Sequence, residues 1–509
     1  MPDRSLIVGL DIGTSRIKAG VFDLGGRLVT VTDVPTPTLT SPEGWVEYDP
    51  EALWQAACGR LQACMAALDD PAAIGGIAVA SMGESAVPLD ADDQPLGPAI
   101  AWFDRRTLGE ADWLERTIGL ERLFATSGLH LDPTFGLCKL LWFKRAHPDA
   151  YRQTRRWLHI ADYMAFRLCG VAATDYTLAS RTLALDIHRG RWNEALVAEV
   201  GLDAGVLAPL QPSGTALGPL TAAAASATGL PRHAIVGVGG HDHICGSFAA
   251  GATTPGTLLD SLGTAEAMLL ATDRPSGDPS VIRQGFAQGA LFVEPPCYYL
   301  LGGLYASGAS IEWFRAAVAA GADHATLIAE AAAVAPGSGG ACFVPHLRLS
   351  SSPHPDDRAR GAFFGLTSDA TRGTLFRAVL EGLAFEARAA LDGMGEVPGT
   401  TPPARIRAIG GNTRNRLLMA IKAATYGRPI ELATMPESTA HGAALFGGLA
   451  AGLYRSADEA VAAAASVSDG EVVQPDPAMA ERYEAIYRQV YRPAYERLRP
   501  LNHAIAGLG

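Results

Sequence analysis

Several familiar signatures are missing from this 509-residue chain, and each absence removes a class of function. No Cys-x-x-Cys occurs, and the seven cysteines (58, 64, 138, 169, 245, 297 and 342) are odd in number and scattered. That argues against a zinc site or disulfide framework and for small buried apolar side chains in a reducing cytoplasm. No run of about 18 uninterrupted apolar residues exists, and the first residues lack the basic and apolar regions of an export signal. A P-loop, a Gly-x-Gly-x-x-Gly dinucleotide fingerprint and a His-Glu-x-x-His helix are all absent. Basic residues are outnumbered, Lys+Arg 41 against Asp+Glu 53 for a net charge of −12. With no basic run, nucleic acid and anionic membrane are poor partners.

What is present is a large apolar fraction, 48% of residues, with Gly 56 and Pro 33 for tight turns. At roughly 150 residues per domain the length suits two to four domains. Leu6 to Leu10, Arg16 to Phe22 and Arg27 to Thr32 read as a meander of strands, with turns at Asp11–Ser15 and Asp23–Gly26. Asp49 is placed to cap a helix to Leu68, with Pro50 first and Trp54, Ala57, Leu61 and Met65 at helical spacing. Ile74 to Ala80 is again a strand, so strands and helices alternate and an α/β fold with a mixed sheet is expected. Ala316 to Ala335 and Met479 to Leu498 read as amphipathic helices. Gly9-Leu-Asp-Ile-Gly-Thr-Ser15 is echoed by Leu259-Asp-Ser-Leu-Gly-Thr-Ala265, which suggests two related halves, with a boundary where Gly251, Pro255 and Gly256 cluster.

The first of these echoes carries chemistry. A strand ending in the Asp11 carboxylate and followed by Gly-Thr-Ser suits a phosphate loop. Glycine admits backbone N–H groups to phosphate oxygens, the hydroxyls donate further hydrogen bonds, and the carboxylate can hold Mg²⁺ through water. The bland alternative is a hairpin with an Asx-type turn. Taken together, Asp11-x-Gly-Thr-Ser15, Ser261-Leu-Gly-Thr264, Gly410-Gly-Asn-Thr-Arg-Asn415 and Glu437-Ser-Thr-Ala-x-Gly-Ala-Ala444 stand in an order that resembles the FGGY carbohydrate kinases, from Leu6 to about Gly452. The resemblance implies two actin-like (ribonuclease H-like) ATPase domains with ATP and sugar in a central interdomain cleft: a sugar-binding domain over 1–250 and a nucleotide-binding domain over 251–509.

The same resemblance assigns the general base to Asp242 in Gly239-Gly-His-Asp-His243, at the end of an apolar strand from Ala234. It assigns Mg²⁺ to Asp11 and Asp242. Contacts to ATP fall on Thr14, Ser15, Gly263, Thr264, Gly411, Asn412 and Asn415, although Asn412 is as well suited to capping a helix. Ser307-Gly-Ala-Ser310 resembles another nucleotide-facing segment, and Glu437 to Ala444 a helix start closing the nucleotide pocket. Contacts to the acceptor fall on Met82, Glu84, Asp104, Arg105, Asp242 and His243. Ionised Glu84 would accept hydrogen bonds from adjacent hydroxyls; its bland reading is a solvated loop carboxylate. Core packing is the favoured reading for Trp102 and Phe103, and structural ion pairing for Arg105 and Arg106. As metal ligands, His241 and His243 are disfavoured, because on a strand they share a face away from Asp242.

Two departures bear on the acceptor. The glycerol kinases of that family carry an arginine immediately before the glutamate, where this chain has Gly83, and a tyrosine where it has Thr134. Losing both enlarges the pocket and removes a cation, which disfavours glycerol and favours a longer polyol or a ketose. Xylulokinases typically have Met-His-Gly where this chain has Met82-Gly-Glu84. The expected partner is therefore a small sugar or polyol, and the resemblance is compatible with a homodimer. The alternative function is an actin- or heat-shock-type ATPase switch that binds a protein, which would lack acceptor loops; a sugar-binding pseudokinase would lack Asp242.

Overall fold

The computed structural model describes residues 4–293, 296–433, 435–466 and 470–508. The chain forms two compact units. One comprises Met1–Thr253, Gln288–Tyr298 and Met435–Ser468; the other comprises Thr254–Ala287, Tyr299–Thr434 and Asp469–Gly509. The expected division at 250/251 thus falls close to the first crossing, but it is contiguous where the units are not. Among the described residues no helix is long and apolar enough to cross a membrane.

The first unit is built on a six-stranded mixed sheet. Strands β1 (Leu6–Ile12), β2 (Arg16–Asp23) and β3 (Leu28–Pro35) form the expected antiparallel meander. On the other side of β1 lie β4 (Ile74–Ser81), parallel to it, and then, with β5 (Ala216–Pro219) at the edge, β6 (Ile235–His241), parallel to β4. The sequences follow these positions. Ile-Gly-Gly-Ile-Ala-Val-Ala-Ser of β4 is buried throughout, as a central parallel strand covered on both faces must be, whereas Leu-Val-Thr-Val-Thr-Asp-Val-Pro of β3 alternates half-buried and exposed. The Pro50–Ala66 helix covers one face, with the Asp49 carboxylate accepting from the N–H groups of Glu51 and Ala52.

The opposite face is covered by the Ser438–Ala450 helix, nine of whose thirteen residues are Gly, Ala, Ser or Thr. A methyl on Gly9 would stand 2.7 Å from the Ala440 carbonyl carbon, and one on Gly447 the same distance from the Ile77 carbonyl carbon. Backbone therefore lies directly on backbone, which only glycine permits. This helix, far along the chain, belongs to the first unit.

The second unit repeats the plan. Strand β7 (Thr257–Leu262) pairs antiparallel with β8 (Glu266–Thr272) through the Gly263–Thr264 turn and parallel with β9 (Arg405–Ile409). Strand β10 (Ile430–Leu432) follows in parallel, and β11 (Val472–Val473) closes antiparallel. The hairpin-plus-parallel-strand arrangement around β7 matches that around β1, so the short sequence echo marks a structural repeat. Two expected helices are broken. The alanine-rich stretch over 316–335 begins in a π turn, Phe314–Val318, that follows the Gly308–Trp313 helix, and resumes only as the His324–Ala332 helix, because Gly321 takes a positive φ and Asp323 caps a new start. The closing helix divides into Pro477–Ile486 and Ala494–Ala506 across a π turn at Tyr487–Tyr491.

Candidate active site

Strand β4 delivers its C-terminal end, Ser81-Met-Gly-Glu84, to a tight turn. Glu84 has φ +60°, a left-handed conformation that costs a non-glycine residue of order 1 kcal/mol and is held only where surroundings dictate it. What holds it is Arg181, whose Nε and Nη2 both stand 2.6 Å from Glu84 Oε1. Glu84 is 4% exposed, so it is neither a solvated loop carboxylate nor alone. Arg181 is carried by the turn after the Tyr176–Ala179 helix, and its guanidinium lies 5.0 Å from the Phe135 ring centre. A methyl on Gly83 would meet the His241 ring at 3.1 Å and the Arg181 side chain at 3.4 Å. A cation thus stands beside Glu84 from residue 181, and Gly83 leaves room for the His241 ring.

Strand β6 reaches the same place through a bulge between Gly237 and Gly240. Gly239 lies on β4 backbone, Gly240 against Thr177 and Asp175. The strand ends at His241, and Asp242 opens the Asp242–Ala249 helix. The alternation expected of a strand therefore does not separate them: His241 Nε2 lies 3.3 Å from Asp242 Oδ1, and the His241 and His243 rings meet edge-on at 5.4 Å. Burial, against the pull of the Asp242 charge, lowers the His241 pKa to about 3, so the ring is neutral. Asp242 keeps partial exposure and His243 is open to solvent.

Asp11 lies on β1, opposite Lys18 of β2. Its pKa is raised well above the ordinary value, first by burial, then by the Asp242 charge; Lys18 opposes and Glu437 adds to the rise. Lys18 itself pairs with Glu437 at 2.6 Å, and Asp11 Oδ1 is buried without a partner. Two carboxylates sharing a field, one with a free buried oxygen, fit a divalent cation that arrives largely hydrated with phosphate, as Mg²⁺ does. Among the described residues no cluster of three or more His, Cys, Asp or Glu side chains is arranged to hold a metal by protein ligands alone. In the adjoining turn Thr14 is half-buried and Ser15 exposed. Trp102 Nε1 donates to Thr14 Oγ1 at 2.9 Å.

The loop Ala101–Thr107 differs from expectation in both directions. Trp102 and Phe103 are not core residues but about 40% exposed. Asp104, expected on the acceptor, is committed elsewhere: Oδ1 accepts from Arg106 N and Nε, and Oδ2 from Val46 N and Arg106 Nη2. Arg106 also reaches Glu47 and lies over the Trp45 and Trp142 rings, the structural ion-pair role expected of it, while Arg105 is exposed. Met82 is 2% exposed and belongs to the core, its N–H bonded to Ile12 O. Thr134 is half-buried, its N–H bonded to Asp132 Oδ1.

Sequence reading missed two cations here. Arg181 has no motif around it. Lys139, on the Gly136–Ala146 helix, is 1% exposed, with no hydrogen-bond partner for Nζ. Burial lowers its pKa to about 7 against the opposing pull of Glu84 and Asp104. A lysine amid Leu-Cys-Lys-Leu-Leu-Trp was the available signal, a charge on the apolar face of a helix.

In the second unit Gly263 and Thr264 are exposed at the tip of the β7–β8 hairpin. Gly263 O accepts from Gly308 N (3.2 Å) and Asn412 Nδ2 (3.1 Å), and Thr264 O from Ala309 N (3.0 Å). Gly411 is exposed. Asn415, not Asn412, caps the following helix, accepting from Leu418 N. The three segments read as nucleotide-facing, 261–264, 307–310 and 410–415, thus meet in one place.

Comparison with known proteins agrees with this geometry. Residues 6–249 match the N-terminal domain model, and 258–451 the C-terminal domain model, of the FGGY family of carbohydrate kinases. The chain is 33% identical over 464 residues to a glycerol kinase of Gloeobacter violaceus, covering 90% of each, and 27% identical over 500 residues to a xylulose kinase of Bacillus subtilis, covering 98% of each. Its structure superposes on that of a xylulose kinase from Rhodospirillum rubrum with a TM-score of 0.89 at 31% identity, over 98% of this chain and 100% of the other. With two actin-like units and both family domains matched, the chain belongs to the FGGY carbohydrate kinases.

Proposed function

We propose that this kinase transfers the γ-phosphate of ATP to a primary hydroxyl of a ketose or of a polyol longer than glycerol, in the cytoplasm. The first unit takes the acceptor and the second the nucleotide. The observation that carries the reading is the junction of two strand ends: Glu84, just beyond β4 and paired with Arg181, packs through Gly83 against His241 at the end of β6, and His241 touches Asp242. Glu84 and Arg181 together offer an acceptor and a donor to neighbouring hydroxyls, while Asp242, partly exposed, orients the attacking hydroxyl and takes its proton as the new P–O bond forms. Neutral His241 beside it cannot cancel the base's charge. Thr14 and Ser15 donate to phosphate oxygens. Mg²⁺ carried in with ATP would be held through water by Asp11 and Asp242 and would neutralise charge on the phosphates.

Relatives named for glycerol and for xylulose both resemble this chain, and its own residues favour the longer acceptor. Gly83 and Thr134 are smaller than the side chains found at those places in glycerol kinases, and the cation enters from Arg181 farther along the chain. A panel of glycerol, tetritols, pentuloses, hexuloses and aldonates, read by acceptor-dependent ADP release, tests this. Turnover of a four- to six-carbon ketose or polyol above glycerol is expected; glycerol as the preferred acceptor would refute it. Asp242→Asn is expected to keep the fold and nucleotide binding while losing turnover by about 10²–10⁴-fold. Near-normal turnover in that variant would remove Asp242 from the role of base.

A further inference from the structure

Behind the β7–β8 turn, three charged side chains meet without solvent. Lys422 Nζ, from the Arg416–Tyr426 helix, lies 2.9 Å from Asp260 Oδ2 of β7 and donates to Glu266 Oε1 of β8 at 2.5 Å. All three are at most 1% exposed. Tyr426 donates its hydroxyl to the same Asp260 oxygen at 3.1 Å. Burying one ammonium with two carboxylates is a poor way to gain stability, since an apolar set of similar volume would serve as well or better. Such a set would not, however, fix geometry in the way directional bonds do.

The second Glu266 oxygen shows where that geometry leads. Oε2 accepts from Ser307 Oγ at 2.8 Å, and Ser307 is fully buried. The next two N–H groups, of Gly308 and Ala309, are the ones that donate to Gly263 O and Thr264 O. A methyl on Gly308 would stand 2.7 Å from Asn412 Nδ2, so the 307–309 segment is pressed against the 410–415 turn as well. An unbroken chain of polar contacts runs from Lys422 through Glu266 and Ser307 to the Gly263–Thr264 turn and its neighbour.

We infer that Lys422, Glu266 and Ser307 are positioning residues for the nucleotide: they fix the 307–309 backbone, which in turn holds the Gly263–Thr264 carbonyls and thereby aims that turn's N–H and hydroxyl groups at phosphate. This rests on the reading that the second unit's turns take the nucleotide. Glu266 is suited to a place near phosphate, because burial and the Asp260 charge raise its pKa to about 7 against Lys422, so a proton can cancel the surplus negative charge.

Three variants and three readouts test it. In Ser307→Ala and Glu266→Ala the KM for ATP and the Kd for Mg·ADP, measured by calorimetric titration, are expected to rise about fivefold or more, the effect of one lost hydrogen bond. The acceptor KM is expected to stay within about twofold. Glu266→Gln, which still accepts from Lys422 and still bonds Ser307, is expected to restore most of the ATP affinity. Should Glu266→Ala fail to fold, Ser307→Ala decides alone, since it leaves the triad intact. Mg·ADP binding equal to the original protein in Ser307→Ala, or an equal rise in both KM values, overturns the inference while leaving the nucleotide reading in place. An unaltered protein that binds no Mg·ADP overturns both.

Discussion

The same substitution at two glycines should have opposite effects. Gly9 lies on β1 beneath the Ser438–Ala450 helix, and a methyl there would stand 2.7 Å from the Ala440 carbonyl carbon and 2.8 Å from Ala444 N. Carbon–carbon contacts settle at about 3.5–4.0 Å, and the Ala440 carbonyl oxygen is nearer still than its carbon, so the helix must lift by more than about 1 Å. Both obstacles are backbone, so no side-chain rotation relieves them. The helix is also pinned where Gly447 meets Ile77 and Ala78, and most of its thirteen residues are buried, so lifting it loosens contacts along the whole face. An overpacked interface of this kind costs about 3 kcal/mol or more, or a fall in Tm of ~6 °C or more at 2–4 °C per kcal/mol. Gly59, inside the Pro50–Ala66 helix, has no atom within 4 Å of an added methyl, and Gly59→Ala should stabilise by about 0.5–1 kcal/mol through helix propensity and a less flexible unfolded chain. Calorimetric scans of both variants with the parent protein measure the two signs directly. A Gly9→Ala protein that unfolds with the parent would refute the backbone-on-backbone packing.

Other outcomes follow from the site and from buried imidazoles. Arg181→Met strands the buried Glu84 carboxylate; unfolding in urea should show a loss of about 3–5 kcal/mol, and adding Glu84→Gln should recover part of it without restoring acceptor affinity. Trp102→Phe removes the donor to Thr14 and should raise the KM for ATP ~2–10-fold, read in an initial-rate series; an unchanged KM would detach Thr14 from phosphate binding. His441, stacked on Phe22 at 4.3 Å, is lowered by burial from 6.5 to about 4. The unfolded chain takes its proton first, so stability is full above pH 6.5 and is lost as pH falls towards 4, by roughly 2 kcal/mol at pH 5. His441→Gln should flatten the difference between urea titrations at pH 7 and pH 5 by that amount, and an unaltered difference would count against a neutral buried ring.

Periodicity and turn residues made much of the scaffold legible. The meander, the Asp49-capped helix and strands β4 and β6 could be read because their signals are local: alternation, a cap, a glycine pair. The helix over 479–498 was misjudged because its apolar side continues through the π turn at Tyr487–Tyr491, where backbone hydrogen bonding changes but side-chain spacing barely does. Candidates such as Asp11, Glu84 and Asp242 could be named because one short segment carries each signal. Partners supplied from far along the chain could not. Nothing around Arg181 announces that it reaches Glu84, and the fate of Asp104 is settled by Val46 and Arg106, whose packing on Trp45 and Trp142 no spacing rule describes. Asn412 was the residue expected as a possible cap; the Leu418 N–H shows that Asn415 takes that place.

The Ser438–Ala450 helix also governs how the protein can be made. Ribosomes would deliver all six strands of the first sheet before residue 250, yet the helix that covers β1, β4 and β6 comes roughly 200 residues later, about 10–40 s of synthesis at 5–20 residues per second. Through that interval the glycine-lined face, with no side chains to shield its backbone, is open to water and to other nascent chains. A fragment ending near residue 253 should therefore be recovered in aggregates, and supplying residues 435–466 as a separate peptide should rescue it. The first unit to be begun cannot be closed until most of the second has been made.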